Sequence, residues 1–416
     1  MSELTRREIL EAVTTLAALG TLSSSAATLS ACGEGPLGGL RPPPELLAKG
    51  LTSGLLWGRF CSTLEDAGEH VRSARAPDDD LDRAEGYRML TRLLGLAFEM
   101  VVEGSDADRP AFFELQSPIR KYAGDNPDQR YAAAVIAGDR RYRITGNRGN
   151  AVLVELGVYA GNFSGGGKRR LVTSLTEEQL QFAPDGSIEI TLGPDADPAQ
   201  PNQVRLEADA INVLIRQYFG DPHDKRASWR IERVPKAEPA PPLAADYLGG
   251  RLLGAALFVE RNAKTWLDFM AERRAGPHNQ LAPPDTGDLQ TPEGIQYLEG
   301  YWKLAEGEAL VLEFEPEPVP YWGLVITNFW MESLEWRDRR ISLNNFQAQR
   351  EADGRTVRIV IAGRDPGHPN WLDCAGHGEG AVSLRWARHP RLPELRSRVV
   401  PIAVLAEAPA LGDLRR

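Results

Sequence analysis

The chain is poor in the features that most often declare a function. It has 3 cysteines in 416 residues, too few for a disulfide framework. Positive charge is not in excess: 48 Lys and Arg stand against 58 Asp and Glu, a formal net charge of −10, which excludes the basic surface that nucleic acid requires. No G-x-S-x-G nucleophile elbow occurs, and Cys374 lacks any cysteine-protease surroundings. The Gly-rich stretch Gly161 to Arg170 fails as a P-loop, because Asn162 replaces a glycine and Arg169 stands where a magnesium-binding Ser or Thr is needed. It reads as a hairpin loop. Beyond the N-terminus no apolar run is long enough to span a bilayer. What remains has ordinary globular composition, 42% hydrophobic and 25% charged, and enough length for two or three domains.

The first 32 residues read as an address. Arg6 and Arg7 precede an uncharged run from Ala12 to Ala31, which ends in Leu29-Ser30-Ala31-Cys32. This resembles a twin-arginine export signal ending in a bacterial lipobox. The resemblance implies that Cys32 is acylated, becomes the new N-terminus and anchors the protein to a membrane in the cell envelope or periplasm. Residues 33–44 are then a Gly/Pro tether. Cys61 and Cys374 are the remaining thiols. Cys61 falls on a predicted helix among apolar residues, which favours a buried free thiol over pairing with Cys374.

Residues 45–110 have helical periodicity, with Asp78-Asp79-Asp80 placed to cap a second helix. Short β-rich segments follow to residue 234. Residues 235–300 read as a Pro-rich linker and helices, one long helix over Tyr247 to Arg274 and a shorter one over Ile295 to Leu304. Strands resume over 301–405. A repeat ties the two β-rich segments together. Ser174, Leu175, Gln179, Gln181, Asp185 and Gly186 lie over Ser342, Leu343, Gln347, Gln349, Asp353 and Gly354 at an ungapped offset of 168 (185 to 353). The same offset places Asp197-Pro198 on Asp365-Pro366 and Asn202 on Asn370, and one residue of drift places Arg216 on Arg385. The expected fold class is therefore α+β: two tandem all-β sandwich modules, 111–234 and 301–405, with N-terminal and inter-module helices.

Asp353-Gly354, Asp365-Pro366-Gly367, Asn370-Trp371-Leu372, Gly376 and Arg385-Trp386 resemble the C-terminal signature of the domain-of-unknown-function 1214 family. Gly124 to Asp128 and Tyr142 to Gly146 resemble its upstream part. The resemblance covers about 110 to 400 and implies tandem jelly-roll-like β-sandwiches; it implies no activity. The first copy has Asn202-Gln203 where the second has Asn370-Trp371, so the second copy is the better candidate for a site.

Each candidate group has two readings. Asp125 and Asp128, in a Pro-containing turn, are either turn-capping residues or, with Asp365, acid/base carboxylates. Arg216 and Arg385 are either buried partners of Asp197 and Asp365 or readers of a ligand carboxylate or phosphate. His368, Asp373, Cys374 and His377 lie close in sequence but match no metal signature, so no metal and no cofactor is assigned. Six of nine tryptophans fall between Trp302 and Trp386; they fill a sandwich core or form stacking walls. The expected function is binding of a glycan or apolar small molecule between the modules, with Trp330 and Trp371 as walls and Asn328, Asn370 and Arg385 as polar contacts. The rivals are a hydrolase or lyase using the aspartates, and a structural envelope protein. Replacing Cys32 with Ser is expected to abolish metabolic palmitate labelling and to release the protein from membranes. Soluble, cytoplasmic protein in both forms contradicts the address.

Overall fold

The computed structural model describes residues 42–161, 170–284, 294–388 and 391–405; Arg6, Arg7, Cys32 and residues 162–169 lie outside them. Three helices open the described chain: α1 (Pro44–Thr52), α2 (Leu55–Val71) and α3 (Asp80–Ala97). Proline at the first position of α1 loses no hydrogen bond there. Gly54, at φ +79°, ends α1 and begins α2, so the helical stretch ahead of Asp78 is two helices divided by a left-handed turn. Asp79 caps α3 by accepting from the Asp82 N–H at 2.9 Å. A π-helical turn, Phe98–Glu103, follows.

Seventeen strands and two further helices are described. The first module holds β1 (Phe113–Glu114), β2 (Gln129–Val135), β3 (Tyr142–Asn147), β4 (Leu153–Ala160), β5 (Arg170–Leu175), β6 (Ser187–Gly193), β7 (Gln203–Arg205), β8 (Ala210–Tyr218) and β9 (Ser228–Arg233). The 31-residue α4 (Ala245–Ala275) follows. The second module holds β10 (Ile295–Lys303), β11 (Glu308–Phe314), β12 (Trp322–Ile326), β13 (Ser342–Asn344), β14 (Val357–Ala362), β15 (Trp371–Asp373), β16 (Glu379–Ala387) and β17 (Arg396–Pro401), with the short α5 (Ile402–Leu405) after it. The segment from Ile295, expected as a helix, is strand β10. Its residues alternate, with Leu298 and Trp302 in the sandwich core and Ile295 and Tyr301 in other clusters, the period of a pleated strand.

The sheets confirm the repeat strand by strand. The first module pairs β2-β8-β4-β5, extended by β1, against β7-β6-β3-β9. The second pairs β10-β16-β12-β13 against β15-β14-β11-β17. Each order is the other moved on by eight strands. Even the one parallel contact recurs, β6 with β7 and β14 with β15. Within each module both sheets feed one core. In the first it includes Ile144, Leu156, Ile190 and Ile215; in the second, Leu312, Trp322, Leu324, Ile359 and Trp386.

The matched residues of the repeat are turn and edge devices. Asn202 brackets Gln181 by accepting from its N–H and donating to its carbonyl, both at 2.9 Å. Asn370 does the same to Gln349, at 2.9 and 2.7 Å. Asp197 and Asp365 each accept from the N–H two residues on. The Asp-Gly turns place Gly186 and Gly354 at φ +80° and +70°, where a side chain is strained.

A third cluster joins everything. Helices α2, α3 and α4 pack with Ala133, Tyr159 and Leu214 of the first module and with Tyr301, Phe329, Trp330 and Ala381 of the second. No helix among the described residues is long and apolar enough to cross a membrane.

Candidate functional site at the inter-module face

In a sandwich, alternate residues of a strand point away from the core, and here those outward faces are not solvated. On β8, Val213 and Ile215 enter the first core, so Asn212, Leu214, Arg216 and Tyr218 point out; all four are buried. On β16, Leu384 and Trp386 enter the second core, so Ser383, Arg385 and Ala387 point out. The outward residues Leu153, Tyr218, Ile295, Tyr321 and Ala387 from both modules form one apolar cluster. The outer faces of the β2-β8-β4 and β10-β16-β12 sheets therefore meet.

Between them lies a buried polar set. Arg216 stands opposite Tyr131 and Arg385 opposite Tyr297 at the same register position of the repeat. Each guanidinium lies over its tyrosine ring, at 5.8 and 5.7 Å from the centroid. Arg216 donates to the Tyr159 hydroxyl at 2.7 Å. Arg385 donates from Nη2 to the Gly124 carbonyl, while its Nε and Nη1 have no partner among the described residues. The copies differ on the other flank. Glu155 stands opposite Arg216, but Gly323 stands opposite Arg385. A Cβ at Gly323 would lie 2.1 Å from the Tyr321 hydroxyl, so glycine is what lets that ring lie along the strand. Tyr321 donates to Asp128 Oδ2 at 2.8 Å and accepts from Asn126 at 2.7 Å. Tyr218 packs on the Tyr321 ring at 4.9 Å, and its own hydroxyl has no partner among the described residues.

Electrostatics follow from this burial. Desolvation pushes the Asp128 carboxyl up to about 6, against the pull of Asn344, the Tyr321 hydroxyl, Lys225 and Arg385. Burial pulls the Lys225 ammonium down to about 8 and pushes the Tyr297 phenol up to about 12. A narrow cleft lined by Glu155, Tyr159, Leu171, Ser174, Thr176 and Arg216 reaches this set; its volume of about 10 Å³ matches a single water.

The site residues expected from sequence divide between this face and elsewhere. Asp128 and Arg385 are on it. Asp125 borders it, but both its oxygens hold Ser333, accepting from the N–H at 2.8 Å and the hydroxyl at 2.6 Å. Asp365 is an exposed turn residue that accepts from the Gly367 N–H at 2.7 Å. Asn370 is spent on the backbone of Gln349 and Arg358. Trp371 donates to the Ala362 carbonyl at 3.0 Å, on the sheet of the second module that does not face the first. Asp365, Asn370 and Trp371 thus do not converge with Arg385. Asn328 Oδ1 accepts from the N–H groups of Trp330 and Glu332. Trp330 is 1% exposed and donates to the Asp82 carbonyl of α3 at 2.7 Å, so it is helix-packing core rather than a wall.

Two further expectations are corrected. Asp197 and Asp365 are not the partners of Arg216 and Arg385, because both carboxylates sit in exposed turns while the arginines face the other module. Cys61 is on helix α2 as expected but exposed, and both it and the buried Cys374 are free. The residues His368, Asp373 and His377 turn to separate partners, Glu351, Arg339 and Asp82. Of the tyrosines 131, 159, 218, 297 and 321 that carry the face, only Tyr321 stands among the aromatics that the sequence offers as stacking candidates. Alternation along these strands marks which residues point outward, but not what covers them.

The family description "protein of unknown function (DUF1214)" matches residues 128–222. That span is the first module from β2 to β8, not the second copy on which the resemblance was strongest. A solved structure of an uncharacterised protein from Burkholderia cenocepacia is 38% identical, with a TM-score of 0.81, covering 86% of this chain and 99% of that one. The chain belongs to the same family as that protein. The VPA0106 protein from Vibrio parahaemolyticus is 12% identical with a TM-score of 0.43, over 81% of this chain and 100% of that one. No curated protein matches.

Asp128 gives this family member a pH signature. A carboxyl raised in the folded state stabilises fully below its unfolded value of about 3.9, and that stability is lost as pH rises through about 6. Asp128→Asn keeps an acceptor for Tyr321 without the charge. At pH 7 it is expected to exceed the wild type in stability by up to about 3 kcal/mol, with the difference vanishing near pH 4. Denaturant melts at the two pH values measure this, and equal differences at both contradict it.

Proposed function

We propose that this is an exported cell-envelope lipoprotein, anchored through Cys32, that binds a small hydroxylated molecule or glycan unit between its two sandwiches. The observation that carries the binding reading is the inter-module face itself. Two sheet faces bring the buried Arg216, Arg385, Tyr159, Tyr218 and Tyr321 together with the partly buried Tyr131 and Tyr297, where packing alone would be served by apolar residues. Tyrosine offers a ring to stack on and a hydroxyl to bond with, a combination suited to sugars. The narrow cleft at Arg216 is the approach, and a sugar-sized ligand requires the edge strand β5 to yield.

Asp128 favours a second reading, hydrolysis or elimination by acid/base catalysis. A buried carboxyl near 6 beside a phenol is poised to exchange a proton close to neutral pH.

A panel of monosaccharides, envelope glycan fragments and small acids, screened by melting shift and tryptophan fluorescence, tests both. A binder shows a saturable shift that Tyr218→Phe or Tyr297→Phe weakens about three- to tenfold, the worth of about one hydrogen bond, with no turnover. An enzyme shows turnover that Asp128→Asn abolishes while the fold is retained. No shift from any member, with the variants altering stability alone, contradicts the binding reading.

A further inference from the structure

Four arginines among the described residues are buried, and they fall into two kinds. Arg92 is paired with Glu332, and Arg358 with Glu313 at 2.8 Å. This is the ordinary state of a buried guanidinium, because removing an uncompensated charge from water is costly. Arg216 and Arg385 have no carboxylate within 4.0 Å among the described residues. The nearby acids bond elsewhere, Glu155 to Arg388 at 2.9 Å, Glu299 to Arg273 at 2.9 Å, Asp125 to Ser333 and Asp128 to Tyr321, although Glu155 keeps Oε2 and Asp128 keeps Oδ1 without a partner among the described residues and they feel the charge of Arg216 and Arg385 respectively. The two unpaired cations occupy equivalent positions in the repeat and face the same interface. Arg385, 7% exposed, keeps two donor nitrogens without an acceptor, and Tyr218, fully buried, keeps its hydroxyl.

Resting on the binding reading above, we infer that the molecule held between the sandwiches carries an oxyanion, a carboxylate or phosphate ester, recognised by Arg385 with Arg216 beside it. The chemistry is that of guanidinium recognition. Arginine keeps its charge at every physiological pH and presents several donors to oxyanion oxygens. Burial strengthens the attraction, since the pair sits where water screens it little. The tyrosine hydroxyls then serve the uncharged oxygens of the same ligand. Arg216 already holds the Tyr159 hydroxyl, so Arg385 is the principal contact.

The test is calorimetric titration of the full chain with D-glucose, D-glucuronate and glucose 6-phosphate, probes that share a ring and differ in charge. One or both charged sugars are expected to bind at least about tenfold tighter than glucose, and which one does so separates a carboxylate from a phosphate ligand. Arg385→Met is expected to remove that preference, a loss of about ten- to a hundredfold for one charge-assisted contact. The same variant without ligand should melt no lower than the wild type, because it relieves an unpaired buried charge. Glucose binding as tightly as both charged sugars overturns the oxyanion assignment and leaves the binding reading intact. Failure of all three to bind also overturns it, the binding reading then resting on the wider panel. A ligand-free melting point several degrees lower in Arg385→Met shows a structural guanidinium and overturns it independently.

Discussion

Everything distinctive in this molecule follows from the burial of a sheet face that a lone sandwich would leave in water. Each module satisfies itself internally, with two sheets closing on an apolar core, five- and four-stranded in the first module and both four-stranded in the second. The outward faces of β2-β8-β4 and β10-β16-β12 then close on one another and on the helical layer. That second closure buries residues that a solvated face tolerates freely: two guanidiniums, several phenols and a carboxyl. Their desolvation sets the unusual acidity of Asp128 and Lys225 and leaves Arg385 with unspent donors. The contacts locking the modules together, such as Asp125 on Ser333, Lys121 on the carbonyls of Ser333 and Leu334, and Arg388 on Glu155, hold this face at fixed separation.

Much of the architecture was legible from the chain. Local rules place the long α4 and the Asp79 cap correctly, because each depends on neighbours in sequence. The 168-residue repeat delivers the module count, and its matched Asn, Asp and Gly residues persist for reasons of turn and edge geometry. Those same residues misdirected the site. Asn370 and Asp365 recur because the backbone needs them, so their pattern is a folding signal. Arg385 was the exception, matched to Arg216 across the repeat with no turn to explain it. The tyrosines around the pair stayed hidden because a strand residue's outward direction does not tell what covers it. The helix expected at Ile295 failed for a related reason. A short amphipathic sequence fits either period, and pairing with β16 along the whole of Ile295–Lys303 decides for the strand.

Duplication also explains how such a face arises. Two copies of one sandwich present the same face to each other, so the arginine and its tyrosine partner come in pairs. Divergence is then visible at single positions: Glu155 of the first copy corresponds to Gly323 of the second, which replaces a carboxylate by room for the Tyr321 ring. The two facing sheets differ in this way without any change to either core.

If the shared face is the hub, neither sandwich has a complete surface without the other. Differential scanning calorimetry of the full chain measures this directly. The account predicts one cooperative transition whose calorimetric and van't Hoff enthalpies agree. Two separable transitions, each carrying about half the heat, would show that the modules stand alone and would contradict it.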